Sequence, residues 1–256
     1  MELNQAVEDF WNFRHGGPFP AHHAGNLKFD DGFRVCLALR ERHAADGNPQ
    51  VGWKVGLTAK AIQAQAGVHH PSWAVLYERG RWASGHSHPA ADLINAGWEN
   101  ELCLTMGATL SGPDATIDDA AAAVASVQPA FEIIERRFKP GPGLFPLGAA
   151  DNGQQRAFVV GEATRFDPDA HDLGAASVEV FVDGESREVA YGREVMESSP
   201  LASIAWLAND LARFGLALEE GMQVMSGSFT KQYHFDGPTE VVAKFDPFGE
   251  VRVTFT

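Results

Sequence analysis

Three glutamates in two apolar stretches are the residues of this sequence best suited to holding a metal ion. Glu99 and Glu101 stand two positions apart, directly before the apolar run Leu102–Leu104, and Glu132 lies inside the apolar run Ala130–Ile134. Side chains at positions i and i+2 of a strand point to the same face. An unpaired carboxylate is costly to bury, whereas a hard divalent cation can pair with it and still bind water and substrate.

A second interpretation of the same residues needs no metal. Glu99 and Glu101 would then lie on a solvated edge strand, and Glu132 would form an ion pair with Arg136 or Arg137. Taken singly, each glutamate favours this second interpretation. The three together, two of them at strand spacing, leave both interpretations open.

Lys54 is a second candidate for chemistry, because it stands in the middle of a predicted strand. It lies between Trp53 and Val55, with Gly52 and Gly56 on either side of this triplet. Such a lysine either extends its ammonium group from the edge of a sheet or is a cation held inside a pocket. The glycines would let a ligand or another backbone approach closely.

The elements that must position these side chains are predicted to be both helices and strands. The first fifty residues hold two helical patterns separated by a segment rich in Gly and Pro. A strand over Val51–Thr58 follows and leads into a short helix. Thr116 and Asp119 form a capping-box pattern, which predicts an Ala-rich helix to about Val127 that Pro129 ends.

The second half of the chain is predicted to be rich in strands. The dipeptide Asp183-Gly184 stands between two alternating segments, which predicts a β-hairpin over Ala176–Ala190. Ser199 followed by Pro200 predicts the start of a helix, with a capping side chain and proline at the first helical position. We expect one continuous fold, with a helical N-terminal portion over residues 1–50 and a β-rich catalytic part over residues 51–256.

Composition and charge exclude several classes of protein. Apolar residues make up 45% and charged residues 21% of the 256 residues, which is ordinary for a globular protein. The net charge of −14 argues against a nucleic-acid partner. The sequence has neither an apolar run of about eighteen residues nor the basic and apolar start of a signal peptide, so we expect no membrane association and a cytoplasmic location. Cys36 and Cys103 lie in apolar surroundings and are predicted to be reduced packing residues.

Several short motifs occur in the order seen in one known family. They are Gly52-Trp53-Lys54-Val55-Gly56-Leu57-Thr58, Glu99-Asn100-Glu101, Pro129-Ala130-Phe131-Glu132-Ile133, Ala150-Asp151-Asn152, Ala205-Trp206-Leu207-Ala208-Asn209 and Ser226-Gly227-Ser228. From about Val51 to its C-terminus the sequence resembles the fumarylacetoacetate hydrolase-like superfamily. Within that superfamily it is most similar to the 2-keto-4-pentenoate hydratase and 4-oxalocrotonate decarboxylase branch.

The resemblance implies a fold, a metal site and an assembly. The fold would be mixed α/β, a fumarylacetoacetase-like β-sandwich roll, here with a helical N-terminal portion. Glu99, Glu101 and Glu132 would hold Mg²⁺ or Mn²⁺, and Lys54 would be the catalytic lysine of the pocket. The protein would form a homo-oligomer and could pair with another enzyme of the same pathway.

The resemblance also implies that the substrate is a small 2-oxo acid. The divalent ion would act as a Lewis acid towards its keto oxygen and stabilise an enolate. Lys54 would pair with the substrate carboxylate or the enolate oxygen, or relay a proton if its pKa is lowered. The backbone N–H groups of Gly227 and Ser228 and the hydroxyls of Ser228 and Thr230 are candidates for holding the substrate carboxylate.

The sequence departs from this family at two places that bear on the reaction. Hydratases of the group commonly carry an acidic residue in the loop after the first helix of the β-rich part, where this chain has Ser72. After Asn152 the family tends to show small residues and serines, whereas the segment Gly153–Arg156 is bulkier and more polar. Gln155 in this segment is a further candidate for binding substrate.

Four functions are compatible with these residues. The first is a metal-dependent hydratase, a lyase that adds water to 2-hydroxypenta-2,4-dienoate-type acids in the breakdown of aromatic hydrocarbons. The second is a decarboxylase of 2-oxo-3-enedioates such as 4-oxalocrotonate, which the absence of an acid at Ser72 favours slightly. The third is the C–C bond hydrolase chemistry of the wider superfamily, which needs a histidine–acid pair that no motif here matches. The fourth is a non-catalytic, metal-binding companion subunit.

Overall fold

The computed structural model describes residues 3–139, 141, 143–235 and 237–256. Within these ranges the α-helices are Leu3–Arg14 (α1), Phe29–Ala45 (α2), Lys60–Ala66 (α3), Ile117–Ala123 (α4), Phe145–Ala150 (α5) and Pro200–Ala212 (α6). The strands are Gln50–Gly56 (β1), Ser72–Tyr77 (β2), Arg81–Ala83 (β3), His86–His88 (β4), Ala96–Met106 (β5), Val124–Glu135 (β6), Gln155–Val160 (β7), Thr164–Arg165 (β8), Ser177–Val182 (β9), Glu185–Tyr191 (β10), Gln223–Met225 (β11), Tyr233–His234 (β12), Thr239–Asp246 (β13) and Gly249–Phe255 (β14). The fold is mixed α/β, as the sequence predicts.

The strands form two sheets, and the larger one curls on itself. It has nine strands, in the order β2-β1-β11-β5-β6-β7-β3, with β12 beside β5 and β8 beside β6. Leu76 of β2 and Phe158 of β7 come from distant places in this order, yet they share one buried cluster with Cys103 and Met225. The sheet therefore has an inner face, which this cluster lines, and an outer face.

The outer face of the large sheet carries the main hydrophobic core. The smaller sheet, in the order β10-β9-β13-β14-β4, packs there. Trp53, Trp98 and Phe131 of the large sheet share one core cluster with Val180 and Phe245 of the small sheet. Full burial of one such large apolar side chain stabilises the fold by about 1.5–3 kcal/mol. Because Trp53 faces this core, its neighbour in the strand must face inward.

The first two helices pack on the outside of the large sheet. Phe33 of α2 stacks on Trp73 of β2, with ring centroids 4.3 Å apart. Phe10 of α1 and Leu39 of α2 form a smaller buried cluster with Leu147 of α5. Helix α2 thus contributes to both clusters. The boundary at residue 50 between an N-terminal portion and the β-rich part stays a prediction.

Local sequence signals place several elements correctly. Thr116 Oγ1 accepts a hydrogen bond from the Asp119 N–H, and the Asp119 carboxylate accepts one from the Thr116 N–H, which confirms the capping box of α4. The hairpin of β9 and β10 turns at Asp183-Gly184, both at positive φ. Ser199 caps α6, as predicted. Both cysteines are buried and free.

The predicted end of α4 is wrong. The helix stops at Ala123, and β6 begins at Val124 and runs through Pro129. Val127 pairs with Leu104 of β5, and Pro129 pairs with Leu102. Buried pairing along a long central strand outweighs the helix preference of the alanines, which is a weak local term. None of the described helices is long and apolar enough to cross a membrane.

Candidate active site

Strands β5 and β6 bring the three predicted glutamates together on the inner face of the large sheet. Glu99 of β5 lies directly opposite Glu132 of β6, and Glu101 lies two positions along on the same face. Carboxylate oxygens of all three lie within 4.8 Å of one another. Glu101 and Glu132 are fully buried and Glu99 is partly exposed. The expected strand spacing and shared face are confirmed.

The oxygen atoms of this cluster are short of partners. Glu101 Oε2 accepts a hydrogen bond from the Gly227 N–H at 2.8 Å. Glu101 Oε1 and Glu132 Oε2 are buried and accept no hydrogen bond from the described part of the chain, and Glu132 Oε1 has only the Lys54 ammonium group, at 3.3 Å, as its partner. Leaving such groups unpaired is costly. A site made only of carboxylate oxygens is the kind that hard divalent cations such as Mg²⁺ prefer, so these residues fit a metal.

Two features of the interpretation without a metal, an edge position for β5 and an arginine partner for Glu132, do not match the described part of the structure. Strand β5 lies between β11 and β6, not at an edge. Arg137 pairs with Glu135 and Asp151, at 2.9 and 3.0 Å, and Arg136 donates to the side chain of Gln232. Neither arginine neutralises Glu132.

Lys54 is the cation that faces the cluster. It is 5% exposed, and its Nζ lies 3.3 Å from Glu132 Oε1 and 3.4 Å from the carbonyl oxygen of Gly153. A Cβ at Gly56 would lie 3.2 Å from the Lys54 Nζ and 3.3 Å from the Ser72 Oγ. The glycine therefore leaves room for both side chains, and the lysine occupies a pocket and not an edge.

The electrostatics of the site follow from burying three carboxylates with one ammonium group. Burial raises the pKa of Glu99 to about 7, and the negative charge of Glu132 adds to this effect. Burial also raises the pKa values of Glu101 and Glu132. For Lys54, burial lowers the pKa, but the surrounding carboxylates, Glu132 first, raise it more, so its pKa lies above the usual value. The lowered pKa that a proton relay would require is therefore not found in the metal-free protein.

The segment after β11 positions Glu101. Gly227 has a φ of +106°, and a Cβ there would lie 2.5 Å from Thr58 Cγ2, so only glycine fits without strain. Its N–H donates a hydrogen bond to Glu101 Oε2. The N–H group that was expected to bind the substrate carboxylate therefore has a partner within the protein. Glycine at this position thus holds a carboxylate of the cluster.

The two hydroxyls predicted to hold substrate lie beside Asn100, between the two glutamates of β5. Thr230 Oγ1 accepts a hydrogen bond from Asn100 Nδ2 at 2.8 Å and donates one to the Lys231 carbonyl oxygen. Ser228 Oγ lies 3.4 Å from the Asn100 carbonyl oxygen, as a long hydrogen bond, and is partly exposed. These contacts position β5, and the roles of both hydroxyls in substrate binding stay predictions.

Gln155 lies at the start of β7, away from the other candidates. It lines a cavity of about 550 Å³ whose lining residues do not include Lys54 or the three glutamates. Its role as a substrate contact also stays a prediction.

Asn152 holds the site together through hydrogen bonds to β2. It belongs to a motif of the sequence, but the motif did not indicate this structural role. Asn152 Oδ1 accepts hydrogen bonds from the Val75 N–H at 2.8 Å and from the Cys36 thiol at 3.3 Å, and its Nδ2 donates to the Val75 carbonyl at 2.9 Å. Asn152, Gly153 and Gln154 all have positive φ, which places the Gly153 carbonyl against Lys54. The dipeptide Asn152-Gly153 indicates this backbone in the sequence, because Asn and Gly adopt positive φ more readily than other residues.

Known proteins of similar sequence are hydratases and decarboxylases. The chain is 31% identical over 204 residues to a 2-hydroxyhexa-2,4-dienoate hydratase of Comamonas testosteroni, covering 79% of this chain and 76% of that protein. It is 32% identical over 205 residues to a 4-oxalocrotonate decarboxylase of Pseudomonas sp. (strain CF600), covering 80% and 77%. No family model matches the sequence.

Solved structures share the fold. A 4-oxalocrotonate decarboxylase from Pseudomonas putida G7, complexed with magnesium and adipate, aligns with a TM-score of 0.92 and 26% identity, covering 100% of this chain and 99% of that one. A fumarylacetoacetate hydrolase family protein from Yersinia pestis CO92 aligns with a TM-score of 0.60 at 16% identity, over 80% of this chain and 92% of the other, which is a likeness of fold alone.

Proposed function

Because the chain belongs to the 2-keto-4-pentenoate hydratase and 4-oxalocrotonate decarboxylase family of the fumarylacetoacetate hydrolase-like superfamily, we propose that it is a divalent-metal-dependent lyase of small unsaturated 2-oxo acids. The observation that carries the proposal is the buried cluster of Glu99, Glu101 and Glu132, with unpartnered oxygens beside Lys54. These glutamates would hold Mg²⁺ or Mn²⁺. The magnesium complex of the similar decarboxylase supports this choice of metal.

The residues around the cluster have distinct tasks in this proposal. When bound, the divalent ion supplies Lewis-acid stabilisation of negative charge on a 2-oxo acid. Lys54, held as an ammonium ion by its carboxylate neighbours, binds the carboxylate or the enolate oxygen of the substrate and stabilises its negative charge. The Gly227 N–H keeps Glu101 in place. Apolar side chains such as Phe158 line the inner face and keep water from the far side of the site, which strengthens these charge interactions.

Hydration of 2-hydroxypenta-2,4-dienoate-type acids, in aromatic-hydrocarbon catabolism, is our first assignment, because several hydratases are about 30% identical to this chain. Decarboxylation of a 2-oxo-3-enedioate is the second candidate. Two observations favour it: the alignment with a decarboxylase over the whole chain, and Ser72 beside Lys54, where hydratases of the family commonly carry an acid. Ser228 and Thr230 remain our candidates for contacts to the substrate tail, whereas Gln155 lines a different cavity and its contact with this substrate stays a prediction from the sequence.

The finer features of the protein belong to the same proposal. We infer the fumarylacetoacetase-like β-sandwich roll, with residues 1–50 as its helical N-terminal portion. We also infer a homo-oligomer that could associate with an enzyme of the same pathway. The cytoplasmic location stays a prediction.

Turnover of two substrates tests the proposal. Purified protein would receive 2-hydroxypenta-2,4-dienoate or 2-oxo-3-hexenedioate, with Mg²⁺ or with EDTA, and products would be followed by mass. Metal-dependent gain of water on the first substrate establishes the hydratase, and loss of CO₂ from the second establishes the decarboxylase. Glu101→Gln should abolish either activity, whereas Glu162→Gln, at an exposed position, should not. Absence of turnover with both substrates and either metal would refute the assignment.

A further inference from the structure

A cavity lies outside the curled sheet, and neither Lys54 nor any of the three glutamates lines it. It has a volume of about 550 Å³, within the range of small-molecule pockets. Residues from the end of α1, from α2 and from the strands β2, β6 and β7 line it. The segment that contains Asp151 and Gly153 lies between this cavity and the glutamate cluster. Asp151 pairs with the lining residue Arg137, and the Gly153 carbonyl faces Lys54.

Four of the residues that line this cavity each carry a buried polar atom with no hydrogen-bond partner in the described ranges. These atoms are Arg14 Nη1, His43 Nε2, Tyr77 Oη and Gln155 Nε2. The side chains of Tyr77 and Gln155 belong to residues only 5% and 2% exposed. Arginine and amide nitrogens can only donate, and a tyrosine hydroxyl can donate as well. The residues around the cavity therefore hold several unused hydrogen-bond donors.

Arg14 forms no ion pair within 4 Å among the described residues, and the charge of Asp151 raises its pKa less than burial and Arg137 lower it. The nearby carboxylates are already engaged, since Arg137 binds Glu135 at 2.9 Å and Asp151 at 3.0 Å. Burial lowers the pKa of Arg14, and the charge of Arg137 adds to this, yet a guanidinium stays protonated in proteins. Water could satisfy the hydrogen bonds of Arg14, but it could not neutralise a buried charge. This arrangement calls for an anion.

We propose that the cavity binds a small oxyanion, a carboxylate or a phosphate, with Arg14 as its charge partner and with Tyr77 and Gln155 as additional donors. The planar guanidinium matches the paired oxygens of either group. Phe13 and Ile94 add apolar surface to the lining, which suits the carbon chain of an organic acid.

The experiment must separate this site from the lyase site, which would also bind carboxylates. All variants are therefore made in Glu101→Gln protein and kept in EDTA, at constant chloride. The melting temperature and the Kd for inorganic phosphate, acetate and succinate are measured in separate arms. A response only to the carboxylates identifies an organic acid, and a response only to phosphate identifies a phosphate compound. Either result supports the oxyanion site.

The main test compares the variant Arg14→Met with its parent protein. Anion binding should be lost, and the anion-free variant should melt at the same or a higher temperature than its parent, because a largely desolvated charge without an ion pair has been removed. A purely structural arginine would instead lower the melting temperature without any dependence on anions. Arg34→Met, at an exposed arginine of α2, is the matched control and should leave anion binding unchanged.

Tyr77→Phe is the milder variant, because it removes one hydroxyl and keeps the ring. It should weaken anion binding about tenfold, the effect expected for one hydrogen bond to a charged group. The proposal is overturned if none of the three anions binds the parent protein, or if they bind Arg14→Met and Tyr77→Phe as tightly as the parent. Since the background lacks the lyase metal site, these outcomes do not depend on the proposed function.

Discussion

At the scale of single residues, the site depends on one ammonium group that is buried against carboxylates. Lys54 lies inside the curled sheet because its neighbours Trp53 and Val55 pack in the outer core. Its charge is maintained by Glu132 and the other two glutamates, which raise its pKa more than burial lowers it. The same burial raises the pKa values of the carboxylates, so the lysine and the cluster depend on each other.

Replacement of this lysine should separate chemistry from metal binding. Lys54→Met is expected to lower kcat about 10²–10³-fold, as for loss of one group that stabilises negative charge in the transition state, while the Kd for Mg²⁺ changes little or improves. Kinetics and metal titration on the same preparation measure both. Lys60→Met, at an exposed lysine of α3, is the control and should behave as wild type. If the protein were a non-catalytic metal-binding subunit, the wild type would already have no activity, and neither substitution would change kcat.

The metal-free protein should lose stability as the pH rises from about 5 to about 8. The pKa of Glu99 is about 7 when folded, above the ordinary value of 4.5, so the folded state binds more protons and stability falls as the group ionises. The effect is at most about 3 kcal/mol for this residue. Denaturant unfolding in EDTA would measure it, and Glu99→Gln should flatten the slope. An unchanged slope in that variant would contradict the assigned cause.

At the scale of elements, two irregular segments close the site. The turn after β11 brings the Gly227 N–H to Glu101, and the segment after α5 attaches Asn152 to β2. Both depend on backbone with positive φ, which few residues other than Gly and Asn adopt. The sequences of both segments predict turns, but they do not predict which residues the turns contact.

Gly227→Ala should destabilise the protein and weaken metal binding together. The new Cβ would lie 2.5 Å from Thr58, at a backbone angle that alanine rarely adopts, which we expect to cost about 1–3 kcal/mol or more. Calorimetry and Mg²⁺ titration would report both effects. Gly148→Ala is the control, because it lies in α5 with nothing near its Cβ and should be neutral or stabilising. Unchanged metal affinity in Gly227→Ala would argue against the role of this turn in holding Glu101.

Asn152→Ala should loosen the join between β2 and the segment before β7. It would leave the buried N–H and C=O of Val75 without partners, at an expected cost of about 2–4 kcal/mol. Urea unfolding measures the loss. Asn95→Ala provides the control, because Asn95 also has positive φ but is exposed. Equal losses in the two variants would show that backbone strain, and not the lost hydrogen bonds, is responsible.

At the scale of the whole molecule, a dication in the proposed site would stabilise an acidic protein of net charge −14. A ligand that binds only the folded state adds about 2.7 kcal/mol at a concentration of 100 times its Kd. For a chain of this size that corresponds to a rise in melting temperature of about 5–10 °C. Scanning calorimetry with Mg²⁺ and then with EDTA tests this, and Glu101→Gln should show no rise. A rise of equal size in that variant would place the bound ion elsewhere.

Short-range patterns in the sequence were sufficient for a large part of this protein. The alternation of β5 fixed that Glu99 and Glu101 share a face, and local caps and turns fixed the start of α4 and the hairpin at Asp183-Gly184. These features depend on residues a few positions apart, so their physics is visible in the sequence. The motifs shared with the family also predicted Lys54 and Glu132 as site residues, and the structure places them 3.3 Å apart.

Only the tertiary structure decided how distant segments meet. The pairing of β5 with β6 placed Glu132 opposite Glu99 and ended α4 where β6 begins. The turn after β11 placed the Gly227 N–H within hydrogen-bond distance of Glu101. The tertiary structure also left Arg14 Nη1 buried without a hydrogen-bond partner among the described residues, which no local pattern indicates. The physical reason is that register, burial and charge pairing between segments far apart in the chain are decided by packing, whereas periodicity shows only which way a side chain points.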